Sequence, residues 1–527
     1  MKRILYNAVI LPQKVEHSRI TAMVIQDDSI LAVGTSDEIL SEFGNIDRQN
    51  MGGKFILPGL TDAHIHLEDY GVNSHKINCE TKTLDECLNR VSARIDTSQP
   101  GEWILGHGWN QNEWEGGFGS VSMLDRIAPQ NPVFLTAKSL HAGWANTHAL
   151  RIAGIDSFTP DPENGRINHD SLGLPSGILL EDAMLLVSQK IPSLSTHALA
   201  GIIKNVQTEL WSMGITGVHD FDKVPCFSAL KVLHAQGELK LRVLKSISRE
   251  DLGDAIATNL RTGSGDDVLR IGSLKLFADG ALGPHTAAMF QPFIDENENY
   301  GILILEKAKI LEFGMLAVEN GISLAVHAIG DRANHEVLEG FSALRIYEKE
   351  KGLPQLRHRI EHAQLLHPAD SARLAELGLI ASMQPIHATS DMTMAERSWG
   401  ERCSTAYAWK TQLDHGACLA FGSDAPVDSP NPFMGLHAAI TRQRMDGTPG
   451  ENGWYPEQRL TFREALHSYT EGPAYAAGME DRYGKLKPGY LADLIVLDRN
   501  PFLCHPSELF DLKPVATMFA GDWVFQS

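Results

Sequence analysis

Eight short β-rich runs alternate with longer helical patterns, both ends of the chain are β-rich, and one long interruption follows the first run. Together these predict an α/β fold. The expectation is a TIM-like (β/α)8 barrel with a small β-sandwich domain formed by both termini and an α/β subdomain inserted after strand 1. The 527 residues leave room for such additions, since a barrel alone takes roughly 250–400.

The eight runs are Asp62–Leu67, Ile215–Asp220, Leu241–Ile247, Ser273–Asp279, Leu324–Ile329, Arg357–Ala363, Ile380–Pro385 and Cys418–Asp424. Helical stretches such as Leu305–Asn320 and Ala333–Lys351 lie between them. The barrel is therefore read over 58–70 and 196–479. Residues 1–57 (with ITAMVIQDDSILAVG) and 480–527 (with LADLIVL and VATMFAGDWVFQ) read as short strands and turns, one composite β domain. Residues 71–195 are too long for a connection and are taken as a subdomain covering the active site.

Composition narrows the function classes. Apolar residues make up 43% and charged residues 21%, as in ordinary globular chains. With 46 basic and 66 acidic residues the formal charge is −20, so the broad positive field that nucleic acid or an anionic membrane requires is missing. The N-terminal apolar stretch is short, contains Tyr6 and Asn7 and stops at Pro12, which does not read as a signal peptide. Six scattered cysteines without CxxC spacing read as free thiols. The expected partner is a small-molecule substrate, and the expected location the cytoplasm.

The chemistry begins with Asp62-Ala63-His64-Ile65-His66. Residues two apart in a strand face the same way, so His64 and His66 would share one ion, and Asp62 could orient an imidazole from behind. An HxH alone also arises incidentally. His327, His362 and Asp424 end later strands, however, and ligands converging from several strand ends are how a barrel builds a metal site. Taken singly, each is equally a satisfied core histidine or a helix-capping Asp.

These residues resemble the amidohydrolase superfamily. FILPGLTDAHIHL is similar to its first-strand signature, GSDAP to its last, and KLKPGYLADLIVLDRNP to its return into the small β domain. More narrowly the chain resembles the branch of N-substituted formamide deformylases (the YtcJ-like group). GHGWNQNEWEGG, PSGILLEDA, KLFADGALGPHTA, VHAIGDRA, RIEHAQ and SMQPIH carry that likeness, which covers essentially the whole chain. The resemblance implies a carboxylated lysine at Lys275, bridging two divalent ions, zinc being the best match and manganese, iron or cobalt alternatives. His64, His66 and Asp424 would hold one ion, His327 and His362 the other. A buried Lys275–Asp279 ion pair is the alternative reading of that lysine.

The implied function is metal-dependent hydrolysis of a C–N amide bond in an N-acyl or N-formyl amine or amino-acid derivative by a metal-bridging hydroxide. Asp424 would take the water's proton and pass it to the leaving amine. A mononuclear deaminase, which has no use for Lys275, and a non-catalytic assembly protein are the alternatives. The family often forms homodimers. Trp109, Trp114, His141 and Trp144 in the insertion would cover the substrate or form the insertion's own core. His219, Gln384 and His387 would contact substrate or tune the ligands, while Arg332 and Arg359 would contact substrate or make structural ion pairs. No GxGxxG follows a strand, no GxxxxGK[ST] or GxSxG occurs, and His335-Glu336 runs into Glu339 instead of completing HExxH.

Overall fold

The computed structural model describes residues 2–10, 20–74, 76–192, 194–294 and 296–527. Pro12, where the N-terminal apolar stretch stops, lies outside them. Eight parallel strands form the central sheet: β1 (Leu60–Ile65), β2 (Ile215–Asp220), β3 (Arg242–Ser248), β4 (Leu269–Phe277), β5 (Leu324–Ala328), β6 (Arg359–His362), β7 (Ile380–Met383) and β8 (Cys418–Phe421). Neighbours in space are neighbours in sequence from β1 to β8. The circle is completed by a parallel bridge between Ile65 and Ala425, with the Asp424 amide donating to the His64 carbonyl at 2.7 Å.

Most strands are buried over nearly their whole length, which is why they read as continuous apolar runs. Helices cover them outside; those read at Leu305–Asn320 and Ala333–Lys351 span Lys307–Glu319 and Asp331–Lys351. The largest apolar cluster, with Leu274, Val326, Phe341 and Leu419, fills the space between strands and helices. Gly422 sits where β8 meets β1. A Cβ there would come within 2.4 Å of the His64 amide, so only glycine permits this closure.

The termini build two further sheets. One is N-terminal only, with Lys2–Tyr6, Ala22–Gln26, Ser29–Gly34 and Asp47–Asn50. The other mixes both ends: Phe55–Pro58 pairs antiparallel with Leu494–Leu497, beside Ala516–Phe519 and Asp522–Gln526. The sheets share a core of Met23, Ile25, Ile56, Val496 and Met518, so the apolar face of each is buried by the other. Between β1 and β2, a six-stranded sheet from Ile77 to Glu181 packs helices Leu84–Ile95 and Val121–Ile127 around its own apolar core. Among the described residues no helix is long and apolar enough to cross a membrane.

Candidate metal centre

His64 lies in β1, and His66 follows it as the N-cap of the short helix α1 (Leu67–Asn73). Their rings stand 5.7 Å apart, and both aim Nε2 at one oxygen: Asp424 Oδ1 is 3.4 Å from His64 and 3.3 Å from His66. Asp424 reaches them from just beyond β8 in the left-handed region, φ 58°. Its other oxygen, Oδ2, lies 3.5 Å from His387 Nε2. His362 and His387 form a second group of potential ligands with Asp424. His387, read as a substrate contact or a residue tuning the ligands, thus stands among them.

Every imidazole here has one ring nitrogen fixed by an oxygen acceptor. Nδ1 of His64 lies 2.6 Å from Glu361, that of His66 3.1 Å from Asp222, that of His362 2.8 Å from Gln384 Oε1 and that of His387 2.8 Å from Asp428. His327 is reversed: its Nε2 donates to the Gly280 carbonyl at 2.8 Å. His327 belongs to neither close group, although its ring stands 4.6 Å from that of His362. In a neutral ring an oxygen acceptor makes its nitrogen the N–H, which leaves the lone pair on the opposite nitrogen. Ligating histidines need this arrangement. His64 Nε2 is buried with no hydrogen-bond partner, and an imidazole lone pair so placed suits a cation.

Burial, and then the Lys275 charge, hold His64 down at about 4; burial first also drives His327 and His362 well below the usual histidine range. All three are neutral, the form that binds metal. Burial opposes ionisation of Asp424, but His64, His387 and His66 outweigh it and hold the carboxyl well below its ordinary value.

Lys275 is buried on β4, its Nζ 4.7 Å from the centre of the Phe221 ring and 4.8 Å from that of Phe277. The ion pair with Asp279 is not formed. Asp279 instead accepts the amides of Ala288, Ile329 and Gly330 at 2.8–3.0 Å. With no salt bridge among the described residues, burial draws the Lys275 ammonium down to about 8, which brings the free amine that can take up CO2 within reach near neutral pH.

Beneath the ligands, Arg359 donates to Glu361, to Ala63 O, to Ser382 Oγ and to Nδ1 of His219. Arg359 therefore makes a structural ion pair, and His219 belongs to this floor with its Nδ1 as acceptor. Asp62 does not orient an imidazole: it accepts from Ser423 Oγ at 2.5 Å and from the amides of His64 and Ser423. Glu361, Asp222 and Asp428 take the orienting role, and the sequence reading missed all three. Glu361 gave the best signal, since it adjoins His362 in RIEHAQ. Strict alternation would send that pair to opposite faces, but the left-handed backbone of His362 (φ 73°) lets both reach the barrel interior.

The insertion roofs a cavity of about 1050 Å3 whose lining includes His141, Lys138, His362, His387 and Asp424. His141 is tied to Glu181 at 2.7 Å and stands 5.5 Å from the His327 ring. Trp109 is among the residues lining the cavity, but its side chain belongs to the insertion's core beside Trp114, with its N–H given to the Leu135 carbonyl. Gln384, read like His219 as meeting substrate or tuning ligands, holds His362.

A sequence model described as the amidohydrolase family matches residues 49–525. The putative amidohydrolase YtcJ of Bacillus subtilis (strain 168) is 30% identical over 100% of both chains. The N-substituted formamide deformylase of Arthrobacter pascens is 28% identical over 98% of this chain and 96% of its own. The crystal structure of an uncharacterized metal-dependent hydrolase from Pyrococcus furiosus matches with a TM-score of 0.75 at 29% identity, covering 95% of this chain and 100% of that one.

Proposed function

Because this chain belongs to the amidohydrolase family, in its YtcJ-like branch, we propose that it is a binuclear hydrolase of a C–N amide bond in an N-acyl or N-formyl amine or amino-acid derivative. The observation that carries the reading is Asp424 set between two imidazole groups, His64 and His66 at one oxygen and His387 at the other. His64, His66 and Asp424 would hold one ion and His327 and His362 the other, with Lys275 supplying a bridging carbamate; zinc is the best match to these donors. Divalent ions bound there would lower the pKa of water and polarise the scissile carbonyl.

The residues divide the remaining work. Glu361, Asp222 and Gln384 keep imidazole lone pairs aimed at the centre. Asp424, ionised, accepts the proton of the attacking water and returns it to the departing nitrogen. The insertion closes over the substrate through His141 and Lys138. Lys275 disfavours a deaminase using a single ion, and the full donor set disfavours a scaffold protein. Six unpaired cysteines support a reducing, cytoplasmic setting.

The test is metal content per chain by plasma mass spectrometry together with turnover of a panel of N-formyl and N-acetyl amines. Two ions and amide turnover are expected. One ion with release of ammonia from an amino-substituted ring would replace the reading with deamination. No metal after zinc and bicarbonate are supplied would end it.

A further inference from the structure

Lys138 follows the insertion strand Val133–Ala137, yet its ammonium reaches the barrel. It lies 2.8 Å from Glu80 of the insertion and 3.2 Å from Oδ1 of Asp428, in the loop after β8. Glu80 is exposed and Asp428 buried, so the two pairs run from solvent inward. Both oxygens of Asp428 are engaged further. Oδ1 also accepts from Ser390 Oγ at 2.9 Å, and Oδ2 meets Nδ1 of His387 at 2.8 Å. His387 and Ser390 stand three residues apart on the helix Pro385–Trp399, whose first turn thus faces this carboxylate. The opposite nitrogen of His387, Nε2, lies 3.5 Å from Oδ2 of Asp424, whose Oδ1 faces His64 and His66.

A line of contacts therefore leads from an insertion side chain to the carboxylate at the centre of the site. A buried carboxylate is costly unless a cation and hydrogen bonds offset its lost hydration. Burial works against the Asp428 charge, and Lys138 leads the groups that outweigh it. Without that ammonium, Asp428 would depend on Ser390 and His387 alone. It would draw the imidazole toward itself or turn to water, and either movement takes away the neighbour that fixes Asp424 Oδ2.

We propose that Lys138 is a positioning residue for Asp424, acting through Asp428 and His387, so that the proton-transferring carboxylate is fixed only when the insertion is seated on the barrel. The inference rests on the hydrolase reading above for the task of Asp424. It gives the insertion a part in the chemistry beyond covering the substrate. Other contacts seat the subdomain without Lys138. His107 reaches the Pro426 carbonyl at 3.4 Å, Gln111 donates to the Gly283 carbonyl at 2.8 Å, and Glu181 accepts from Thr286 Oγ1 at 2.6 Å. Removing the ammonium therefore breaks one line and leaves the cover in place.

The test compares the metal-loaded full chain with Lys138→Met, Lys138→Arg, Asp428→Asn and the double variant Lys138→Met with Asp428→Asn, all at equal metal content. Lys138→Met should lower kcat by about 10–100-fold with little change in KM. The double variant should be no slower than Asp428→Asn alone, because both changes break the same line. Lys138→Arg should restore most of the rate, since a guanidinium also pairs with a carboxylate. A loss carried by KM, or penalties that multiply in the double variant, would mean that Lys138 meets the substrate directly and would overturn the proposal. The link is also read without metal or substrate, in histidine-15N NMR spectra of the metal-free protein with His387 assigned through His387→Gln. Its ring signals should move in Lys138→Met and return toward their places in Lys138→Arg. Signals that stay put overturn the positioning role whatever the reaction. Signals that move in a protein hydrolysing no amide support the link and count against the hydrolase reading alone.

Discussion

Glu361 accepts a hydrogen bond from Nδ1 of His64 at 2.6 Å, and neither residue is reached by solvent. The same carboxylate pairs with Arg359, and its charge is held well below the usual range, against burial, by Arg359 and His64. One group thereby sets the orientation of a candidate ligand and neutralises a buried guanidinium.

Replacing it separates those two roles from the rest of the site. Glu361→Ala should weaken metal affinity by about 10–100-fold, measured by competition with a chelator. It should also cost about 3–5 kcal/mol in urea denaturation of the metal-free protein, because Arg359 is left buried without its anion. Unchanged metal affinity would mean that His64 keeps its orientation without Glu361.

Asp424→Asn tests proton transfer. The amide cannot accept the water's proton, so kcat should fall by about 10²–10⁴-fold. Much of the metal should remain, since the imidazoles are untouched. A turnover near wild type would remove Asp424 from the chemistry.

Carboxylation of Lys275 needs the free amine. With the ammonium drawn down to about 8, the free-amine fraction rises steeply between pH 7 and 9. Zinc-plus-bicarbonate reactivation of the metal-free protein should accelerate over that range, and Lys275→Ala should lose the bicarbonate dependence. The same depressed pKa makes the unfolded chain bind more protons between about pH 8 and the ordinary lysine value near 10.5. Metal-free protein should therefore gain stability from this group as pH rises through that window. A reactivation rate flat in pH and bicarbonate would sink the bridge.

Arg242 of β3 grips Asp493 of the C-terminal segment through Nε and Nη2, and Asp493 also accepts the Ala520 amide at 2.8 Å. This buried pair joins the barrel to the terminal β domain. Asp493→Ala should destabilise the protein by about 3–5 kcal/mol in chemical denaturation, with kcat per metal-loaded molecule unchanged. A matching loss of kcat would tie the terminal domain to the site itself.

The eight barrel strands were legible because buried parallel strands are continuous apolar runs. Each expected run overlaps one observed strand; the first is displaced, since β1 begins at Leu60 and His66 already opens α1. Metal-competent residues stood at strand ends, and Lys275 came through the family likeness. Trp109 shows the limit: three tryptophans beside polar residues describe a pocket wall and a subdomain core equally well, and the indole lies in the core.

The sequence by itself determined the fold class, the family and the strand-end residues, because periodicity and short motifs are local and survive being read in one dimension. Only the tertiary structure decided which groups serve those residues. His64 and Glu361 are 297 positions apart, His66 and Asp222 are 156 apart, and Asp424 meets His387 only where two strand ends converge. A carboxylate in a strand has the same letter whether it faces water, a guanidinium or an imidazole. Its role is fixed by burial and by the partner that folding brings within 3 Å.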